Sequence, residues 1–356
     1  MKKFLNVFLG LTFVLILAAC GNGSEEGEST DEDSASADEN SDEPINLVWY
    51  PNESGNELAD ARDEIGSIIE EATGRTVEHE LTTDYAIAIE SIVNDNADLA
   101  FTGAEGYIQA KDRNDNITPL VVPSGPSGTE EDALYYSWFA TKVDNMEQYE
   151  TGEGEYSIDE FPGKNFSFVS TSSTSGFRVP TSTILNHFTA TEEYADLTEE
   201  DLAESGRFFD QVMFGNTHQG SAVNLINDRA EIAAFCDTCV ENYVELAEGE
   251  ENTPGAIYEV SEGAADPFSN LVGEQFGIIS ATPVLNAPFI ANESTLGAET
   301  VEQLREVFAS DEVANNEKIF VPEDSEEGGL FTKSADERFV VVEDEWFDPI
   351  RELSAE

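Results

Sequence analysis

An α/β fold in two lobes is the architecture this sequence predicts, and three observations predict it. Strand-like and helix-like segments alternate through the folded part of the chain. The stretch from Pro44 to Glu356 is long enough for two domains. A break rich in turn formers, Gly125-Pro126-Ser127-Gly128, interrupts the alternation where one lobe would hand over to the other.

The elements follow in order. Ile45–Tyr50 (INLVWY) is a short β-rich run. Glu57–Thr73 carries Leu58, Ile65, Ile68, Ile69 and Ala72 near helical spacing, with Gly74 as a stop. Thr76–Leu81 reads as a strand, Asp84–Val93 as a helix and Asp98–Phe101 as a strand. Gly103 then breaks the run, Ala104–Lys111 is helical, and Ile117–Val122 closes a β-α-β-α-β order that predicts a mainly parallel sheet. In the second half, Leu134–Ala140, Asn165–Ser170, Arg207–Phe214 and Glu231–Cys236 read as strands. Gly176–Phe188, Gly220–Asp228 and Thr238–Glu248 read as helices. A second crossover is expected around Ser280–Pro288, and Gln303–Phe308 with the later helical pieces returns to the first lobe. The expected organisation is residues 1–19 as signal peptide, 20–43 as linker, 44–133 as the first lobe, 134–280 as the second, and 281–356 as crossover and return.

The ends place the protein outside the cell. Met1-Lys2-Lys3 is basic, Phe4–Leu17 is almost wholly apolar, and together they read as a secretory signal peptide. The following Leu17-Ala18-Ala19-Cys20-Gly21 resembles the lipobox of bacterial lipoproteins. That resemblance implies a lipid on Cys20, anchoring the chain to the extracellular face of the cell membrane without a spanning helix. From Asn22 to Glu43 the only apolar side chains are Ala35 and Ala37, so the segment is expected to be a disordered tether. The whole chain has 75 Asp and Glu against 16 Lys and Arg, a formal net charge of −59. An acidic excess spread along the length excludes nucleic acid as a partner. It suits a protein kept soluble in concentrated salt, where the Debye length falls to about 3 Å at 1 M.

The most informative stretch is STSSTSGFRVP, Ser170–Pro180. A strand precedes it and a helix follows. Pro180 is tolerated only in a first turn, which puts the helix start near Ser175 or Gly176. The hydroxyl-rich loop therefore lies between the carboxyl end of a strand and a helix N-terminus, where unpartnered N–H groups and the positive dipole end favour an anion. An ordinary N-cap accounts for one or two hydroxyls, not six.

Here the chain resembles the substrate-binding lipoproteins of phosphate, phosphite and phosphonate ABC transporters. Thr174-Ser175-Gly176 with Pro180, preceded by Asp159–Asn165 (DEFPGKN), is similar to the family's turn, strand and Ser-Thr-Ser-Gly loop. Asp84-Tyr85, the run Asp98-Leu99-Ala100-Phe101 with Gly103 and Tyr107, Phe214–His218 (FGNTH) and Ala230–Ala234 (AEIAA) match further motifs in order, from Pro44 to Phe308. The resemblance implies a two-lobed type II periplasmic-binding-protein fold, with two crossover strands and an interlobe cleft for a phosphorus oxyanion. Ser173, Thr174, Ser175 and Gly176 would cradle the anion from the second lobe, Tyr85 and Tyr107 would donate from the first, and His218 would join them. An ABC permease and ATPase are the implied partners of a monomer that has no cofactor.

Departures from the family sharpen the ligand. Aminophosphonate-binding members carry carboxylates at two positions that correspond here to Thr238 and Ala287, so an amine-free ligand is expected. Asp237 is adjacent to Thr238 and, turned inward, would restore one carboxylate. Arg178 stands where the family has an apolar residue, either as a ligand contact or turned to solvent. Cys236 and Cys239 form a C-x-x-C that is either a local disulfide or two thiols beside the cleft. No catalytic set is recognisable. An anion-sensing module and an extracellular thiol oxidoreductase using Cys236 and Cys239 are the rival functions.

Overall fold

The computed structural model describes residues 43–353 apart from 153, 324 and 326–328. The signal peptide, Cys20 and all but the last residue of the acidic linker lie outside the described residues. Two large sheets organise the rest. The first has the order β17-β4-β14-β3-β1-β2. Its strands are β1 (Ile45–Trp49), β2 (Val77–Leu81), β3 (Leu99–Phe101), β4 (Ile117–Pro123), β14 (Phe289–Asn292) and β17 (Phe339–Val341). The second, β11-β12-β13-β5-β10-β8-β9, is built from β5 (Leu134–Lys142), β8 (Asn165–Phe168), β9 (Gln211–Phe214), β10 (Ile232–Cys236), β11 (Val244–Glu248), β12 (Ile257–Val260) and β13 (Gln275–Leu285). Two short ladders, β6 (Glu150–Gly152) with β7 (Glu155–Tyr156) and β15 (Phe320–Pro322) with β16 (Phe331–Lys333), stand apart from them.

The expected mainly parallel sheet is corrected. In the two large sheets only β1 with β2 and β3, and β8 with β9 and β10, run parallel. The reason is topological. β14 arrives from the second sheet and inserts between β3 and β4, antiparallel to both.

Helices cover both faces of each sheet. Alternate residues of β1 divide between two cores. Ile45, Leu47 and Trp49 pack with Ile65 and Ile69 of α1 (Ala59–Thr73). Val48 packs with Ile89 of α2 (Tyr85–Val93) and Ile108 of α3 (Ala104–Lys111). In the second sheet, Phe166 and Phe168 meet Phe177 and Ile184, the latter on α4 (Val179–Phe188). Leu202 of the short α5 (Glu199–Ala203) joins that core, and Phe235 lies on the opposite face with Leu225 of α6 (His218–Ile226). Each buried Phe or Leu contributes about 1.5–3 kcal/mol of transfer free energy, largely offset by ordering. Among the described residues no helix is long and apolar enough to cross a membrane.

β5 and β13 are the long strands of the second sheet. They pair antiparallel from Leu134↔Leu285 to Lys142↔Phe276. Their ends lead to the first sheet side by side, where Asn286 N donates to Ala133 O at 3.0 Å and Asn286 Nδ2 to Pro123 O at 2.8 Å.

Two secondary-structure expectations fail. Thr238–Glu248 is not a helix: turns lead into β11, whose Val244 pairs with Val260 of β12. Helix-forming Glu, Leu and Ala lost there to cross-strand pairing. Arg207–Phe214 forms a strand only from Gln211.

Candidate functional site

The carboxyl ends of the six parallel strands converge on one cavity of about 250 Å³. β1 is followed by Tyr50, Asn52 and Glu53, β2 by Tyr85, and β3 by Thr102 and Gly103. From the second sheet, β8 leads to Ser173–Ser175, β9 to His218, and β10 ends in Cys236. This is the edge where open α/β sheets hold ligands.

The hydroxyl loop begins its helix as a wider π turn over Thr174–Arg178, capped by Ser173, whose Oγ accepts from Gly176 N at 3.1 Å. Ser175 O accepts from Ser137 Oγ at 2.6 Å, tying the loop to β5. Thr174 Oγ1 accepts from Glu105 N at 2.9 Å, in the first turn of α3. A methyl on Gly103 would sit 2.8 Å from Thr174 Oγ1, so glycine is what lets that helix end approach. Two helix N-termini thus point their amide dipoles at the loop.

His218 is fully enclosed, and burial pushes its pKa down to about 3. Its Nδ1 accepts from Cys236 N at 3.0 Å. The neutral ring therefore carries its proton on Nε2, which lies 3.3 Å from Ser173 Oγ. His218 N donates to Asn52 Oδ1 at 3.1 Å, and Asn52 Nδ2 donates to Tyr85 OH at 2.6 Å. Cys236 and Cys239 are joined as a disulfide. With both sulfurs bonded to each other and Nδ1 engaged, the trio of His218, Cys236 and Cys239 offers no ready metal ligand set.

Four buried polar atoms on the lining residues have no hydrogen-bond partner: Tyr50 OH, Glu53 Oε2, Thr102 Oγ1 and Ser175 Oγ. Orphaned buried polar groups cost about 1–3 kcal/mol each, which a bound ligand can recover. No Lys or Arg is among the described residues lining the cavity. Two of its carboxyls are held towards the neutral form, while Glu337 is kept below the usual carboxylate range by hydrogen bonds from Ser334 and Ala335. Burial raises Glu53 to about 8 and Glu241 to about 7. The site can therefore grip an oxygen-rich anion through neutral donors, as hydroxyls, imidazole N–H and helix ends do.

The family model for the ABC transporter phosphonate periplasmic substrate-binding protein matches residues 47–347. The chain belongs to this family. It is thus a substrate-binding component of an ABC transporter and not an enzyme, which removes the thiol oxidoreductase reading. The "Phosphate-import protein PhnD" of Mycolicibacterium smegmatis is 27% identical over 348 residues, 96% of this chain and 92% of that protein. Among solved structures, PhnD1 from Prochlorococcus marinus with methylphosphonate has a TM-score of 0.61 at 14% identity, covering 89% of this chain and 98% of that one. A binding component of a Pseudomonas aeruginosa ABC phosphonate transporter gives 0.59 at 17% identity, covering 88% and 86%. These two establish the periplasmic-binding-protein fold for the phosphonate-family chain.

Of the residues named from sequence, Tyr85, Ser173, Thr174, Ser175, His218 and Thr238 line the cavity. Three others do not. Tyr107 donates its hydroxyl to Asp344 and packs on Phe347, away from the cavity. Gly176 is needed for packing, because a methyl there would meet Val169 at 2.3 Å. Asp237 turns its Oδ1 to Tyr136 N at 2.8 Å. Arg178 is paired with Glu105 and Glu199. Sequence reasoning missed Tyr50, Asn52, Glu53 and Thr102. The carboxyl-end rule, applied to β1 and β3 as it was to β8, would have found them.

Proposed function

We propose that this protein captures a small phosphorus oxyanion, namely phosphate, phosphite or a short alkylphosphonate, and delivers it to an ABC permease and ATPase. It acts as a monomer held at the extracellular face of the cell membrane by lipid on Cys20. One observation carries the ligand class: four unpartnered buried polar atoms belong to residues that line a cavity with no Lys or Arg among its described lining residues. Such a cavity suits an anion able to accept several neutral hydrogen bonds at once. The relatives named for phosphate import and for methylphosphonate support the same class. The amine-free choice within it rests on Thr238 and Ala287, which line the cavity as a hydroxyl and a methyl. The anchor rests on the lipobox-like Leu17–Gly21.

Calorimetry with phosphate, phosphite, methylphosphonate, 2-aminoethylphosphonate and sulfate tests the proposal. Selective binding of one of the first three is expected. Preference for sulfate, or no binding of any phosphorus oxyanion, would overturn it.

A further inference from the structure

We infer that Glu53 shares a single proton with the bound anion, because its buried, unpartnered Oε2 belongs to the same cavity wall as Tyr50 OH, Thr102 Oγ1 and Ser175 Oγ. The inference rests on the phosphorus-oxyanion reading and adds a specificity-determining residue to it.

Glu53 lies in the short turn after β1, within the 3₁₀ segment Pro51–Glu53. The residue is partly exposed, but Oε2 is sealed from solvent and has no partner. The titratable and charged groups that face it are Arg62 of α1, Tyr50 at the end of β1, Tyr85 of α2 and Tyr135 of β5. Only Arg62 is ionised at neutral pH, and it donates to the backbone oxygens of Glu53 and Gly55. Burial outweighs that cation and raises the carboxyl to about 8.

An ionised carboxylate cannot face an oxyanion without a proton between them, because both are acceptors only. Two like charges brought together hold one shared proton instead. Either Glu53 donates O–H to a phosphoryl oxygen, or a phosphoryl O–H donates to the carboxylate. Both descriptions contain the same atoms and one proton. The three neighbouring hydroxyls are pure donors towards the remaining oxygens, so the wall supplies several donors and one proton-sharing contact.

The consequence is proton-coupled binding. Below pH 8 Glu53 already carries the proton and adds no pH dependence. Above it, each complex must take one up, and affinity falls about tenfold per pH unit beyond the ligand's own titration. A Glu53→Gln variant keeps a donor but cannot titrate.

The test measures methylphosphonate and phosphate binding from pH 6 to 10 for the wild type and Glu53→Gln. Proton uptake at pH 9 is read by calorimetry in buffers of different ionisation enthalpy. The expected result is retained binding by Glu53→Gln at pH 7, a steeper loss for the wild type above pH 8, and close to one extra proton taken up by the wild type. Glu53→Ala should weaken binding at pH 7 by about ten- to a hundredfold. Equal slopes and equal proton uptake in wild type and Glu53→Gln would overturn the inference while leaving the ligand assignment intact. Failure of the wild type to bind either probe would overturn the ligand assignment itself. If the variants do not fold, wild-type proton uptake decides: at pH 9 an excess over the ligand's own titration supports the shared proton, and none refutes it.

Discussion

Arg178, at the end of the hydroxyl loop, reaches Glu105 on α3 with Nη2 3.1 Å from Oε1 and Nε 3.3 Å from Oε2. This forked pair joins elements of the two sheets beside the cavity, and neither residue lines it. Glu105 is 4% and Arg178 17% exposed in their side chains, so the pair is weakly screened. Arg178→Ala is expected to weaken ligand binding about tenfold, roughly 1.4 kcal/mol, by loosening closure. Calorimetry checks this, and unchanged affinity would show that the pair does not hold the cleft shut.

Ser175→Ala isolates one donor. Its Oγ has no partner in the structure, whereas the Thr174 hydroxyl already serves Glu105 N. A loss of about 1.5–3 kcal/mol in ligand affinity is expected, as for a hydrogen bond to a charged group. Melting of the ligand-free protein should not fall. A destabilised ligand-free variant with normal affinity would assign Ser175 to structure alone.

Binding should survive molar salt. At −59 the protein repels anions at low ionic strength, and salt screens that repulsion. The enclosed neutral donors are screened much less. Affinity constant or improved between dilute buffer and about 1 M salt is the expected titration result. A steep loss would mean capture by exposed cations.

An aminated ligand should bind more weakly than its amine-free analogue. Thr238 and Ala287 supply no counter-charge, and Asp237 is turned to backbone amides. Glu241, raised to about 7 by burial, is the group an ammonium would ionise. Competition between 2-aminoethylphosphonate and methylphosphonate reads the outcome. Tighter binding of the former would make Glu241 the amine's partner.

Stability of the ligand-free protein should fall as pH rises from 5 to 9. Glu53 and Glu241 have folded pKa values raised above their unfolded ones. Each therefore contributes fully below about pH 4.5 and loses up to about 1.4 kcal/mol per pH unit until its folded value is passed. Glu241→Gln should flatten the melting curve over pH 5 to 7. A curve with unchanged slope would show that Glu241 is not titrating in this window.

Much of this was legible in the sequence, for reasons particular to each element. The hydroxyl loop concentrates its chemistry in consecutive residues, so its helix-end position could be read directly. Glu53 and Thr102 could not be read that way, since only the pairing of β1 with β3 brings them together. Tyr107 sits on the helix its motif implied, but its hydroxyl is taken by Asp344, far along the chain. β11 looked helical because its own residues favour a helix, and only β12 beside it decides otherwise.

The two long strands that link the sheets are flanked by β10 and β12 within the second sheet, and where they leave it they run as one paired ribbon, Tyr135 against Val284 and Leu134 against Leu285. A ribbon two strands wide bends across its thin direction far more readily than it shears along its hydrogen-bond ladder. Opening and closing are therefore expected to follow a single angle, with the two connections bending together like the tape of one hinge. A permease docked on both halves then has one mechanical variable to read, and a trapped anion sets it.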